Sequence, residues 1–309
     1  MRSNFRIGII GKGSQYLRIS KILEKYNYKF IVYKPNNKNY YDRTSFQVLK
    51  KCNVIFILSP NKTHFNYIKQ FSNNRYIFCE KPPVASKNDL KKLAKFNHKK
   101  IYFNFNFRFS NISNILSKIN KFKLGELLYG TIISGHGLGF KKEYVRSWRS
   151  NKKLCKKGVF EIVSVHWLDL INHHFNMSGI KILNLRSFLN KKKSCDNSYC
   201  KITLKNKSEV DIYSSYTSPL IKKIMLVSSN GTIEQNNNSI EVRGPTMNLD
   251  KNKFFIQPKL IEKISISESR DYNFSLEKSV KFFLDHVKKK KSFSKKDFIN
   301  SLYVNRLIL

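Results

Sequence analysis

The sequence predicts an α/β chain in two domains: a doubly wound parallel sheet over residues 1–119, then an α+β domain with a largely antiparallel open sheet over 120–309. Two textures carry this. Residues 1–110 alternate short β-rich apolar runs with stretches of helical spacing, as βα units do. Beyond "KLGELLYG" (123–130) the apolar runs crowd together and are joined by hairpin signals. With 309 residues, 41% of them hydrophobic and 14% aromatic, the chain can bury two sizeable cores.

The strands of the first domain are "FRIGII" (5–10), "KFIVY" (29–33), "NVIFIL" (53–58) and "RYIFC" (75–79), with helices over 15–25, 62–73 and 87–97. "KIYFNFNFRF" (100–109) alternates strictly, so it predicts a strand with Ile101, Phe103, Phe105 and Phe107 on one face. Tyr102, Asn104, Asn106 and Arg108 form its polar face. A helix over 111–121 leads to strands at 127–137, 180–189, 198–205, 208–217, 221–229 and 231–243. "SSNGT" (228–232) marks a tight turn, because Asn-Gly accepts positive φ at low cost. Helices over 158–176 and 275–290 cover the sheet, and Ser294 with Asp297 three residues on begins a last one. Ile202, Leu204, Val210, Ile212, Met225 and Val227 predict an exposed apolar sheet face that pairs with another subunit in a homodimer or homotetramer.

The formal net charge of +39 raises the question of nucleic acid. Lysines are spread along the whole chain beside many Asn, Ile, Phe and Tyr, and all five have AT-rich codons, so genome bias explains the charge. Only Lys288–Lys291 is a dense run, read as the solvated end of a helix. The aromatics fall in apolar alternation rather than in an RNA-binding motif, so no nucleic-acid partner is expected. No apolar run is long enough to cross a bilayer, and the N-terminus enters a strand without a signal core. The expectation is a cytoplasmic protein with no membrane partner. The five cysteines include no Cys-x-x-Cys pair and read as reduced, structural thiols. His166, Asp169 and His173 have no further convergent ligand, so no metal is expected.

Chemistry concentrates after the strands. In "GIIGKGS" (8–14), Gly11 permits a sharp strand-to-helix turn and Gly13 lets a phosphate near the backbone. The helix opening at Ser14 and Gln15 offers N–H groups and a positive dipole end. Tyr16 stands where the dinucleotide fingerprint has its third glycine, so a plain turn is an equal reading of the loop alone. The second strand ends at Lys34 without the acid that meets a free ribose 2′-hydroxyl, which favours NADP slightly over NAD. Ser59, Pro60, Asn61 and His64 of "SPNKTH" follow the third strand, where ligands of such sheets sit; a Pro-Asn turn with a helix cap explains them equally. "CEKPP" (79–83) puts Glu80 and Lys81 at a strand end, costly unless paired or used, and Pro82 is a candidate cis-proline. On the 158–176 helix His166 and Asp169 are three apart and share a face, and a histidine beside a carboxylate titrates near neutrality. A packed core histidine fits the same pattern. "SGHGLGF" (134–140) is either a ligand-approach loop carrying His136 or a flexible connection.

Taken in order, "GIIGKGS", "SPNKTH", "CEKPP", "FNFNFRFS", "SWRS" (147–150) and "GVFEIVSVHWLDL" (158–170) resemble the glucose–fructose oxidoreductase / inositol dehydrogenase (Gfo/Idh/MocA) family over nearly the whole chain. The resemblance implies an N-terminal Rossmann domain, NAD or NADP as hydride carrier, and a sugar, polyol or nucleotide-sugar substrate. It assigns Lys81 to the reacting oxygen and nicotinamide region, Arg108 to the cofactor side, and His166 with Asp169 to proton transfer. Trp148 and Arg149, with His136, would line the substrate; Arg149 suits a hydroxyl, carboxylate or phosphate. One departure stands out: Ile162 occupies the place of a family aspartate four residues before His166, and Glu161 is turned about 100° away from it on a helix. A non-catalytic, ligand-binding member of the family is the alternative this leaves open. A surface-polysaccharide gene setting would point to a sugar-nucleotide substrate.

Overall fold

The computed structural model describes residues 5–34, 46–189, 193–244 and 249–309. In chain order its elements begin with β1 (Ile7–Ile10), α1 (Ser14–Lys25), β2 (Phe30–Tyr33), β3 (Val54–Ile57), α2 (His64–Phe71), β4 (Tyr76–Glu80), α3 (Lys87–Leu93) and β5 (Ile101–Asn104). There follow α4 (Asn111–Leu116), β6 (Leu127–Gly135), α5 (Lys142–Val145), α6 (Val165–Phe175), β7 (Met177–Arg186), β8 (Asn197–Leu204) and β9 (Glu209–Ser215). The chain closes with β10 (Ile221–Ser228), β11 (Gly231–Gln235), β12 (Ser239–Arg243), β13 (Leu260–Ser265), α7 (Glu268–Lys288) and α8 (Lys295–Ile308). Two compact units result, residues 1–106 with 276–309, and residues 107–275.

The first unit is built on a parallel sheet of order β2-β1-β3-β4-β5. β1 and β3 are buried along their whole length, as strands covered on both faces must be, which is why they read as continuous apolar runs. The unit takes in α8 and the part of α7 from Leu276 onward. Phe283 sets its ring edge-on to Phe56 and Phe78, 5.3 Å from each. Asn305 brackets Val84, accepting from its N–H at 2.8 Å and donating to its carbonyl at 3.1 Å. Ser294 caps α8 by accepting the Asp297 N–H, as its spacing suggested.

The strand expected over 100–109 stops at Asn104, and a 3-10 turn covers Asn106–Phe109. Its polar side chains do not meet solvent: Asn104 and Asn106 are each 1% exposed. Strict alternation was therefore a true strand signal for four residues only. Beyond it the chain turns, and Arg108 leaves the sheet.

The second unit carries an eight-stranded sheet of order β13-β12-β11-β10-β6-β9-β8-β7, in which β6–β9 is the one parallel neighbour pair. A π-helical turn, Phe160–Ser164, opens α6 and sits on β8 and β9, where Ser164 Oγ meets the hydroxyls of Ser198 (3.0 Å) and Ser214 (2.9 Å). This corrects the expected exposed apolar face. Ile202, Leu204, Val210 and Ile212 are at most 2% exposed, and only Met225 and Val227 of that set lie on the more open side. With period two, opposite phases exchange the faces completely. The open side instead carries Tyr129, Tyr199, Lys201, Asp211 and Tyr213. The run 231–243 is two strands rather than one, and β13 was not foreseen. The 228–232 turn has Ser229 and Asn230 at its centre, with Gly231 already paired to Ser228. α7 begins at Glu268, earlier than the expected 275.

Candidate active site

Four of the expected cofactor segments lie at the carboxyl ends of the parallel strands, around the point where β1 separates β2 from β3. Gly11 follows β1 with φ +103°, and its N–H donates to the Tyr33 carbonyl at 2.8 Å. A Cβ there would lie 2.8 Å from the Leu58 carbonyl and the Ser59 nitrogen, so only glycine fits between the two loops. Gly13, the N-cap of α1, has nothing within 4 Å of where its Cβ would be. Ser14 and Gln15 open this twelve-residue helix, whose first turn holds no acid. Gln15 accepts from Arg18 at 3.4 Å, and Tyr16 is half-buried. Lys34 is exposed directly after β2.

The loops after β3 and β4 are tied together by His64. The ring is 1% exposed, with Nε2 2.8 Å from the Ser59 carbonyl and Nδ1 2.9 Å from the Pro82 carbonyl. Burial pushes its pKa down despite those carbonyls. His64, expected among the cofactor contacts, thus joins the two loops through their backbone carbonyls. Thr63 donates its hydroxyl to the Pro60 carbonyl, so Ser59 Oγ is the donor in the 2.7 Å contact with Thr63 Oγ1. Asn61 is the exception in this loop. Its carboxamide is 3% exposed, and neither its nitrogen nor its oxygen has a hydrogen-bond partner among the described residues. A buried amide so left costs of order 1–3 kcal/mol, and such groups in native folds are met by water or ligand.

At the end of β4, Glu80 is buried and accepts from Asn104 Nδ2 at 2.6 Å; burial raises its pKa. Ser279 donates to Asn104 Oδ1 at 2.7 Å, and Tyr102 OH lies 2.7 Å from Ser279 Oγ. The polar face of β5 thus anchors the Glu80-Lys81 turn from inside the unit. Lys81 is half-buried, and the Lys81–Pro82 bond is cis.

Within the second unit Arg108 and Asp169 form a bidentate ion pair, Nε to Oδ2 at 2.8 Å and Nη2 to Oδ1 at 2.6 Å. Their side chains are 10% and 1% exposed. Arg108, expected on the cofactor side, thus engages both oxygens of Asp169, the residue expected to share a helix face with His166. His166 is 7% exposed and stacks on Phe107, ring centroids 4.3 Å apart and planes 19° from parallel. Phe107 also meets Trp167 edge-on at 4.8 Å. Ser113 bridges the Arg108 carbonyl and His174, whose pKa falls to about 3 through burial, His173 and Arg108.

His136, half-buried after β6, tilts over Tyr216 at 5.2 Å, and burial lowers its pKa. Its glycine-rich loop is packed rather than slack: Gly139 N–H donates to the Tyr216 carbonyl at 2.8 Å, and a Cβ on Gly139 would touch that oxygen. Arg149 stacks on Trp148, 4.9 Å from the ring centre. Ile162 packs with Leu138 and Val163 against Tyr144, Val159 and Tyr216. Glu161 is engaged elsewhere, accepting the Lys157 N–H at 2.6 Å and the Cys155 thiol at 3.7 Å.

Two contributors escaped sequence reasoning. Phe107 was assigned to the dry face of an extended strand, whereas the turn after Asn104 brings it to His166. Lys222 is 4% exposed and pairs with Asp271 at 3.3 Å and Glu268 at 3.2 Å. Its signal was present, since it shares the inward phase of β10 with Ile224 and Leu226, but it stood among 59 basic residues. Among the described residues no group of three His, Cys, Asp or Glu side chains converges as a metal site, and no helix is long and apolar enough to cross a membrane.

NAD(P) fits the residues at these strand ends, because the orphaned Asn61 carboxamide and the open space over Gly13 both face a need the protein leaves unmet. Residues 5–105 match the family described as "Oxidoreductase family, NAD-binding Rossmann fold" (GFO_IDH_MocA). No curated protein sequence matches the chain. Among solved structures it is similar to a myo-inositol dehydrogenase from Corynebacterium glutamicum, at 15% identity and TM-score 0.73, over 99% of this chain and 95% of that one. It is similar to a dehydrogenase (MviM) from Clostridium difficile at 17% identity and TM-score 0.72, over 99% and 98%. A third is the UDP-N-acetylglucosamine 3-dehydrogenase GnnA from Acidithiobacillus ferrooxidans, at 13% identity and TM-score 0.71, over 98% and 95%. The glycine turn, the loops after β3 and β4 and the matched segment agree: residues 5–105 match the NAD-binding Rossmann fold of the Gfo/Idh/MocA oxidoreductase family, in a chain that shares the fold of these dehydrogenases.

Proposed function

We propose that this protein is an NAD(P)-dependent dehydrogenase or reductase acting on a hydroxyl or ketone of a sugar, polyol or nucleotide sugar. The buried, unpartnered Asn61 carboxamide at the end of β3 carries this reading, together with the match over residues 5–105. Gly11, Gly13, Ser14, Gln15, Ser59, Pro60 and Asn61 would hold the dinucleotide; when bound, it supplies the hydride acceptor or donor. Lys34, exposed at the end of β2 where the sequence Val32-Tyr33-Lys34-Pro35 has no acid, suits a 2′-phosphate and favours NADP slightly over NAD.

Lys81 stabilises the substrate oxygen as charge develops on it. His166 takes the hydroxyl proton in oxidation and returns it in reduction. Asp169, three residues on, supports that transfer while both its oxygens also hold Arg108, a pair that fixes the turn of α6 that carries His166. Arg149, Trp148 and His136 are assigned to the substrate, and a nucleotide sugar such as surface-polysaccharide pathways use would give Arg149 an anionic partner. The open side of the second unit's sheet, rich in tyrosine, is assigned to a homodimer or homotetramer contact.

Fluorescence titration with NADH and NADPH, followed by absorbance assays over sugars, polyols and nucleotide sugars, tests the proposal. Absence of binding at millimolar cofactor overturns it. Cofactor binding with no turnover across the panel would favour a ligand-binding protein of the same fold, the reading that Ile162 supports by removing the family's second acid.

A further inference from the structure

The second unit buries a lysine beneath the aromatic pair that holds His166. Lys222 Nζ lies 5.4 Å from the Phe107 ring centre and 5.5 Å from that of Trp167, both within cation–π range. Asp271 and Glu268 neutralise it from the start of α7. Asp271 is itself tied down, its Oδ1 accepting the Asn111 N–H at 3.1 Å and the Asn111 side-chain amide at 2.9 Å. Burying an ammonium is expensive, and an apolar side chain of similar volume commonly packs as well or better. Packing alone therefore does not account for a lysine here. What a cation adds is direction: it holds aromatic faces, whereas a methylene chain only fills space.

We infer that Lys222 is a positioning residue for His166: its ammonium clamps Phe107 and Trp167, and the clamped Phe107 ring sets the plane of the imidazole. The chain of contacts is continuous, from Asn111 and Asp271 to Lys222, from Lys222 to Phe107, and from Phe107 to His166 at 4.3 Å. The inference rests on His166 as the proton-transfer group for its meaning, but its first test does not.

That test is NMR of the full chain labelled at histidine, which has seven such residues, with the His166 signals identified by their loss in His166→Gln. The variants are Lys222→Arg, which keeps a cation, and Lys222→Met combined with Asp271→Asn, which leaves no unpaired charge at Asp271 and keeps the Oδ1 acceptor. The His166 ring protons, shifted upfield by the Phe107 stack, move toward unstacked values in the double variant and stay in Lys222→Arg. Unchanged His166 signals in a folded double variant overturn the inference. If the double variant does not fold, Lys222→Gln is read the same way, with the same criterion. With a substrate in hand, the double variant loses about 10- to 100-fold in kcat at nearly constant KM, the cost of a misplaced group. An NMR shift without that loss would count against the role of His166, not against the clamp.

Discussion

The two glycines of the β1–α1 turn do different work, and paired substitutions separate it. Gly11 combines φ +103° with backbone atoms of Leu58 and Ser59 2.8 Å from any added Cβ. Left-handed strain in a non-glycine residue costs about 1–3 kcal/mol, and forcing a methyl into a filled site about 1–3 more. Gly11→Ala should therefore lose roughly 2–6 kcal/mol, a fall of about 5–20 °C in Tm at roughly 2–4 °C per kcal/mol. Gly13 has φ −92° and open space over its Cβ. Threonine is about as good an N-cap as glycine, so Gly13→Thr should leave stability within a few tenths of a kcal/mol and Tm nearly unchanged. The same side chain fills the space a pyrophosphate needs, so NADH and NADPH affinity should fall at least about tenfold, about 1.4 kcal/mol. Thermal melts followed by circular dichroism and fluorescence titrations of both variants check this. An unchanged Tm in Gly11→Ala refutes the close approach, and unchanged cofactor affinity in Gly13→Thr refutes the cradle.

Asn61→Ala should weaken cofactor binding while leaving the unliganded protein as stable or more so, because a buried amide without partners is removed; a loss of Tm above a few degrees in the absence of cofactor would contradict the orphan. Asp169→Asn should cost about 3–5 kcal/mol in denaturant unfolding, since it strands a nearly buried arginine; a neutral effect would mean the pair is not formed. His174 has a folded pKa of about 3 against 6.5 for the free side chain, so below pH 6.5 the unfolded chain binds the extra proton and stability falls as pH falls toward 3. At pH 5 this amounts to about 2 kcal/mol before allowing for partial solvation. The stability of His174→Gln should accordingly fall less than wild type between pH 7.5 and pH 5 in urea titrations, and parallel curves would exclude the effect.

How much was legible follows from where period and chemistry coincide. β1, β3 and β4 read correctly because strands covered on both faces must be apolar throughout, and nothing else produces so short and unbroken a run. The Ser294 cap read correctly because its hydrogen bond is local. The failures are tertiary. Alternation located the strands of the second sheet but not which phase was dry, since that depends on where α6 lands; Ile202 and Val210 were assigned outward and lie inside. β5 kept alternating in sequence for five residues after its hydrogen bonding had ended, because the turn at Asn106–Phe109 happens to continue the pattern. The closing helices join the first unit through contacts such as Asn305 with Val84, 221 positions apart, which no local rule foresees.

The sequence names candidate site residues more readily than it names their partners. His166 and Asp169 share a helix face, yet face-sharing gives proximity and does not name every partner: a guanidinium reaches the same carboxylate in bidentate geometry. Ile162 shows the same logic in reverse. Judged against the family pattern it is a missing acid; judged against its neighbours Tyr144, Val159 and Tyr216 it is the residue the environment asks for. Glu161 cannot take over, because a backbone N–H and a thiol already claim its carboxylate. Asp169 is paired with Arg108, position 162 is apolar, and His166 is held in an aromatic stack. The proton-transfer role proposed for His166 calls for a fixed ring, and packing on Phe107, itself against Trp167 and the buried Lys222, supplies one means of fixing it.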